Sequence, residues 1–213
     1  MGNGKTGAVP KGWLYCPPNG NRLIAGKFMP LKTPLSNIYD EKVPEELRFT
    51  PKRIFASARS NRVKLGLWID LTNTDRYYYK GDIERQGSKY VKLQLSGHGE
   101  TPSRGKTQRF VSIVHNHLIR NPSDCVAVHC THGFNRTGFL ITSFLVEKLR
   151  YDVKSALEVF AGCRPPGIYR GNYIEELFQR YGNIRDILPV PLLPEWCDKK
   201  DNNRRKRNRH RRE

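Results

Sequence analysis

Long apolar runs are missing from this chain. No stretch approaches membrane-spanning length, and no secretory signal pattern is visible in the sequence. A cysteine framework is missing too. Five cysteines without regular spacing argue against a disulfide scaffold. Cys16, Cys125, Cys163 and Cys197 lack close Cys or His partners at zinc-ligand spacing. Clustered carboxylates of the kind that hold catalytic divalent ions are absent as well. Acidic residues are scarce, 20 against 38 lysines and arginines, for a formal net charge of +18. Two short N-terminal patterns are set aside. Gly4-Lys5-Thr6 lacks the full phosphate-loop pattern and follows no strand, and Met1-Gly2 with Thr6 meets only a loose acylation pattern.

The charge that is present is uneven. Residues 199–213, KKDNNRRKRNRHRRE, carry nine Lys or Arg against two acids, and the remaining +11 belongs to residues 1–198. Such a body and tail favour an anionic partner through steering and local concentration. The tail reads as a solvated linker, an import signal or a nucleic-acid contact; charge alone leaves these open.

Hydrophobic patterning predicts strands alternating with helices. Leu65–Leu71 and Tyr90–Leu95 read as strands, and Cys125-Val126-Ala127-Val128 as a central one. Helices are predicted from Pro51 to Ala58, Gln108 to Ile119, Arg136 onward, Val153 to Phe160 and Tyr173 to Tyr181, the last stopped by Gly182. Pro44–Phe49 reads as a short helix or turn. This alternation implies an α/β core whose chemistry sits at strand ends.

Between the central strand and the helix after it lies His129-Cys130-Thr131-His132-Gly133-Phe134-Asn135-Arg136-Thr137-Gly138. A strand, a tight loop and a helix N-terminus form a natural phosphate cradle, because backbone N–H groups converge there and the helix field favours an anion. Cys130 at the strand's end is then a thiolate nucleophile, its pKa lowered by the same field and by Arg136. Arg136 offers a planar fork to the equatorial oxygens of a transferring phosphoryl group. Thr137 can donate its hydroxyl to the thiolate. Thr131, His132, Gly133, Phe134 and Asn135 complete the cradle, and Gly133 and Gly138 allow close approach. His129 is expected to hold the loop by a hydrogen bond. A lone Cys is ordinarily a small buried hydrophobe and a lone Arg a surface charge; their spacing, with two glycines and a Thr, makes that reading a poor one here. His132 reads as a solvent-facing loop residue or, from its place inside the loop, a substrate-side one.

HCTHGFNRTG fits the cysteine-dependent phosphatase pattern HCxxGxxRT. Together with Trp13-Leu14-Tyr15-Cys16-Pro17, Phe28-Met29-Pro30-Leu31-Lys32-Thr33, Leu67-Trp68-Ile69-Asp70-Leu71-Thr72-Asn73-Thr74, Leu95-Ser96-Gly97-His98-Gly99-Glu100, Arg164-Pro165-Pro166-Gly167-Ile168-Tyr169-Arg170-Gly171-Asn172-Tyr173 and Pro194-Glu195-Trp196-Cys197, it resembles the RNA 5′-triphosphatase domain of metazoan mRNA capping enzymes. The resemblance runs over roughly residues 10–197. It implies a cysteine-phosphatase-like α/β fold with a central, mostly parallel mixed sheet flanked by helices. It also implies an N-terminal extended segment (1–22), the catalytic domain (23–197) and a basic tail or linker (198–213). The implied reaction removes the γ-phosphate of triphosphate-ended nascent mRNA through a phosphocysteine, without metal or cofactor, as the first step of cap formation. Implied surroundings are the nucleus, a monomeric domain, no membrane, a guanylyltransferase on the same or another chain, and the phosphorylated tail of RNA polymerase II. No lysine-nucleophile domain for guanylyl transfer occurs in these residues, so the chain reads as a piece of a longer protein or a free-standing relative.

Four residues are candidates for a supporting role, Asp70 by the resemblance and the others by their places in the sequence. Asp70 matches an Asp near the family's phosphate loop, and orders loops, pairs with an Arg or assists the chemistry. Arg164 and Arg170 either bring positive charge to the outer end of a polyphosphate, or lie at the surface or behind the residues that touch substrate. His129 is the fourth. One feature of protein tyrosine phosphatases is missing: the loop LSGHGETP lacks their usual general-acid aspartate, leaving only Glu100 as a displaced candidate. A terminal phosphoanhydride leaves as a diphosphate of low pKa and needs little acid assistance. The alternatives are a relative that removes both γ- and β-phosphates, a dual-specificity protein phosphatase, and a binding module with a vestigial pocket.

Overall fold

The computed structural model describes residues 7–97 and 99–197. Strands β1 (Phe28–Leu31), β2 (Leu65–Asp70), β3 (Lys89–Lys92) and β4 (Cys125–His129) form one sheet in the order β1-β4-β2-β3. Every pair of these strands is parallel. Among the described residues antiparallel pairing is confined to isolated bridges, Asn19 with Leu31 and Ile24 with Phe28. The expected α/β fold is therefore present, with a parallel sheet of four strands in place of a mixed one. Helices α1 (Pro51–Ser60), α2 (Lys80–Glu84), α3 (Arg104–Arg120), α4 (Asn135–Leu149), α5 (Val153–Cys163) and α6 (Gly171–Tyr181) flank it. Among the described residues no helix is long and apolar enough to cross a membrane.

Strand β4 shows why the sequence reads as an unbroken apolar run. Side chains alternate across a strand, and here both faces are covered. Val126 and Val128 pack with Phe110 of α3, Phe139 and Phe144 of α4 and Phe160 of α5. Cys125 and Ala127 enter the opposite cluster, with Trp13, Phe55 and Trp68. Residues 7–22 close that second face: Trp13 is fully buried and its Nε1 donates to the Thr33 carbonyl at 2.8 Å. The buried Lys32 ammonium donates to the carbonyls of Trp13 (2.9 Å) and Cys16 (3.0 Å) and lies 3.7 Å from the Trp13 ring centre.

Several element ends differ from expectation for identifiable reasons. Helix α3 begins before Gln108, because Ser103 caps it by accepting the Lys106 N–H at 3.3 Å. Strand β3 ends at Lys92, although Leu93 and Leu95 still donate to the carbonyls of Asp70 and Leu71. Strand β1 escaped prediction: Pro30 sits within it, which an edge strand tolerates and a central one does not. Helix α4 begins at Asn135, with Phe134 at its cap position and no side-chain cap. Its first N–H groups are thus left for another acceptor, and they face the C-terminal edge of the sheet, where the strand ends converge.

Candidate active site

Cys130 follows the last residue of β4, and the loop from it to Phe134 leads into α4. Outward-facing carbonyls shape this loop. The Thr131 carbonyl accepts the Thr33 N–H at 3.1 Å. The His132 and Gly133 carbonyls accept from Arg164, through Nη2 at 2.7 Å and Nε at 2.8 Å. With the carbonyls held outside, N–H groups are free to face inward, and Gly133 donates to the Cys130 sulfur at 3.2 Å. Gly133 takes φ +76°, and a Cβ there would lie 2.1 Å from the Leu31 carbonyl oxygen, so only glycine fits.

Burial opposes ionisation of Cys130, but the Arg136 guanidinium, the hydroxyl and N–H of Thr137 and the Gly133 N–H outweigh it, and the thiol pKa lies below its ordinary value. Thr137 is fully buried, and its hydroxyl has no other partner among the described residues. Arg136 is aimed by carbonyls at two strand ends: Nη1 donates to Leu95 (3.2 Å) and Leu71 (3.4 Å), and Nη2 to the Thr131 hydroxyl (3.0 Å). The result is a thiol whose ionisation is favoured, beside a guanidinium held at a helix N-terminus, an arrangement suited to in-line phosphoryl transfer.

His129 is fully buried behind the nucleophile. Its Nδ1 lies 3.2 Å from the Cys130 carbonyl and its Nε2 2.6 Å from the Tyr78 hydroxyl. Burial lowers its pKa, with Asp70 opposing. Asp70 sits one layer further back, accepting from the Thr72 N–H and hydroxyl on one oxygen and from Tyr78, Tyr90 and Lys92 on the other. Burial raises the Asp70 pKa, and the charges of His129 and Lys92 with the Thr72 bonds more than reverse this. Asp70 does not line the pocket; it organises the residues that hold His129.

The open pocket, about 390 Å³, is lined on the loop side by Cys130 to His132 and Phe134 to Arg136, and across from them by Gly97, Gly99, Tyr169, Arg170 and Tyr173. Arg170 is exposed at the mouth. Its backbone N–H and that of Tyr169 donate to Asn135 Oδ1, both at 3.1 Å, so Asn135 ties the mouth to the nucleophile loop. Arg164, by contrast, is 1 % exposed and lies beneath the loop, not at the outer end of the pocket. Phe134 is fully buried, with Arg164 4.3 Å from its ring centre. His132 is held in place though still partly exposed: its Nε2 is 2.9 Å from the Lys11 carbonyl and its ring packs on Trp196 with centres 5.1 Å apart. Burial pushes its pKa down to about 4, which leaves it neutral at ordinary pH. Glu100 is exposed and does not line the pocket; its backbone carbonyl accepts from Tyr173. Among the described residues no group of three or more His, Cys, Asp or Glu side chains could hold a metal ion.

Sequence reading missed Tyr78, Tyr169, Tyr173 and Trp196. Each lies far along the chain from Cys130, and none carries a local signal of its role.

Residues 51–183 match the family model for the dual specificity phosphatase catalytic domain. The chain belongs to that family. It is 50% identical over 197 residues to a Danio rerio mRNA-capping enzyme, covering 92% of this chain and 33% of the relative. A Caenorhabditis elegans mRNA-capping enzyme is 40% identical over 190 residues. The chain thus spans about a third of the length of the capping enzymes it matches. A Caenorhabditis elegans RNA/RNP complex-1-interacting phosphatase homolog is 35% identical, covering 80% of this chain and 75% of the relative. Among solved structures, PTPMT1 superposes with a TM-score of 0.57 at 16% identity, over 77% of this chain and 95% of that one. At that identity the likeness supports the fold, a cysteine-phosphatase α/β sheet with flanking helices. The resemblance to the capping-enzyme triphosphatase domain holds across nearly the whole chain, and the domain is a phosphatase-type hydrolase.

Proposed function

We propose that the domain removes the γ-phosphate of triphosphate-ended RNA, leaving a diphosphate end ready for capping. The Cys130 thiolate attacks the γ-phosphorus in line as the bond to the β-phosphate oxygen breaks. The RNA diphosphate leaves, and phosphocysteine forms. Arg136, with the N–H groups of Thr131 to Arg136, holds the equatorial oxygens through the transition state. Thr137 stabilises the sulfur as it leaves, and water hydrolyses the S–P bond to release phosphate. No metal or cofactor takes part. Arg170 at the mouth meets the charge of the outer phosphates.

The observation that carries this reading is the proton inventory of the pocket. No carboxylate is among its lining residues. The pKa of His132 is too low, and burial raises those of Tyr169 and Tyr173. Among the described residues no group is therefore poised to protonate a leaving alkoxide near neutrality, whereas a diphosphate leaves without that help. Mass and label analysis of products from γ- and β-labelled triphosphate RNA, beside a phosphotyrosine peptide, tests the reading. Release of γ-phosphate alone is expected. Release of β-phosphate as well would favour the tri/diphosphatase alternative, and peptide turnover without RNA turnover would favour a protein phosphatase.

In the same reading, the domain works in the nucleus, beside a guanylyltransferase domain or partner and the phosphorylated tail of RNA polymerase II. Turnover in excess EDTA and its loss on thiol alkylation test the metal-free chemistry.

A further inference from the structure

Trp196 gathers three of the rings that line the pocket. His132, Phe134 and Tyr169 pack on it with ring centres 5.1, 5.4 and 6.0 Å from its own. Phe134 and Trp196 are buried, whereas His132 and Tyr169 keep part of their surface open. His132 is also fixed at its polar atoms. Its Nε2 meets the Lys11 carbonyl at 2.9 Å, and its own backbone carbonyl accepts from Arg164 Nη2 at 2.7 Å. A main-chain carbonyl can only accept, so Nε2 carries a proton, and burial keeps the ring neutral at ordinary pH. The proposed reaction uses the backbone N–H of this residue and leaves its side chain without a task.

The support behind the ring is an addition to the phosphatase core. Lys11 and Trp196 both lie outside residues 51–183, the stretch that matches the dual specificity phosphatase catalytic domain. Their two segments also meet each other, since a Cβ on Gly12 would lie 2.5 Å from the Trp196 carbonyl oxygen. Segments that flank the matched domain on either side thus converge on one side chain of the nucleophile loop. A bare phosphate cradle, built from backbone N–H groups and Arg136, needs no such support.

We infer that His132, backed by Trp196, is a stacking platform for the nucleobase of the first nucleotide of a triphosphate-ended RNA. The inference rests on the proposed RNA substrate and adds how its end is recognised. With the γ-phosphate seated on Cys130, two further phosphates carry the nucleoside outward, and His132 stands two residues beyond the nucleophile with part of its surface open. A neutral ring, pinned at Nε2 and backed by an indole, suits a base, whose π-face stacks on aromatic side chains including histidine. Such stacking tolerates every base, so the platform registers that a base is present and not which one.

The test uses the full chain and two triphosphate-ended oligonucleotides, one normal and one whose first nucleotide is abasic. KM is measured for both on the parent, His132→Ala, His132→Phe and Trp196→Ala. On the parent, KM should be about tenfold higher for the abasic end, the range of one base–aromatic stack. His132→Ala should erase that ratio and Trp196→Ala should shrink it. His132→Phe should keep it, because it retains the ring and loses only the bond to Lys11. Equal KM for the two ends on the parent would overturn the inference, and that comparison needs no variant to fold. So would a ratio lost equally in His132→Phe and His132→Ala, which would assign the effect to the hydrogen bond. A rise in KM on His132→Ala for a phosphotyrosine peptide, with none for RNA, would give the ring to a peptide and overturn it as well. Anisotropy binding of both oligonucleotides to Cys130→Ser, with and without His132→Ala, separates the inference from the proposed reaction. Binding that depends on the base and on His132, without triphosphate turnover by the parent, would sink the reaction and keep the platform. Turnover without that dependence would do the reverse.

Discussion

Two of the segments that line the pocket are loops held by their carbonyls, yet they present different things to it. The nucleophile loop, Cys130 to Phe134, turns its carbonyls outward onto Thr33 and Arg164 and so aims N–H groups and the Cys130 sulfur inward. The covering loop, from Leu95 to Pro102, is also held by its carbonyls: Leu95 by Arg136, Gly99 by Asn172, Glu100 by Tyr173 and Pro102 by Arg180 at 2.7 Å. Yet among its described residues only Gly97 and Gly99 line the pocket. One loop supplies chemistry and the other supplies shape. In the proposed reaction selectivity would come from the leaving group: with no proton donor among the described lining residues, bonds to good leaving groups are the ones expected to turn over.

The largest effects fall on the chemical loop. Cys130→Ser should abolish phosphate release from triphosphate RNA while circular dichroism and melting remain those of the parent; full activity would break the scheme. Arg136→Lys should lose about 10²–10³ in kcat, because a point charge cannot replace the fork. Arg164→Met tests whether the outward carbonyls matter. It removes a buried donor of three bonds, to Gly133, His132 and Pro17. Stability should fall by about 2–4 kcal/mol in urea melts, and kcat by about 10²-fold as the cradle shifts. Undiminished kcat in a folded Arg164→Met protein would show that the cradle holds its own shape.

Thr137→Val acts on the thiolate rather than the frame. The hydroxyl favours the ionised form of Cys130, so removing it raises the thiol pKa. Activity rises with pH as the thiolate forms, and the acid limb of kcat/KM should therefore move to higher pH. Iodoacetamide alkylation rates followed against pH should move the same way. Because the hydroxyl has no other partner among the described residues, the packing change is small. A lower rate with an unmoved limb would assign Thr137 to a later step.

How much of this is legible in the sequence follows the same division. The chemical loop is readable because Cys130, Gly133, Arg136 and Thr137 sit within one short run, where spacing alone fixes their geometry. The sheet and most helices are readable from periodicity, with β1 hidden by Pro30 and its short length. The frame is not readable. Arg164 ends a helix and looks like a surface charge, yet it is 1 % exposed beneath the loop. Tyr78 stands in the polar run Arg76–Lys80 but closes on His129, 51 residues away in sequence. Trp196 follows a proline-rich stretch and packs on His132. Such contacts depend on where distant segments arrive, and residue type alone does not encode that. In the covering loop, sequence draws the eye to the side chain of Glu100, whereas the loop's carbonyls are what engage α6 and Arg136.

The smallest expected effect sharpens the comparison most. If Glu100 were a displaced general acid, Glu100→Gln would cost kcat even on a triphosphate and remove the alkaline limb of the pH profile. Its carboxyl is instead exposed and outside the pocket lining, and the bond that Tyr173 makes goes to its backbone carbonyl, which glutamine keeps. Glu100→Gln should therefore leave kcat on triphosphate RNA within about twofold of the parent, as for surface substitutions away from special features. Tyr173→Phe provides the matched contrast, because it cuts the pin and leaves the carboxylate. It should lower kcat more than Glu100→Gln does, by loosening the wall opposite Cys130. If the order were reversed, the covering loop would be chemical after all, and the absence of an acid could no longer explain why a phosphoanhydride is the preferred bond.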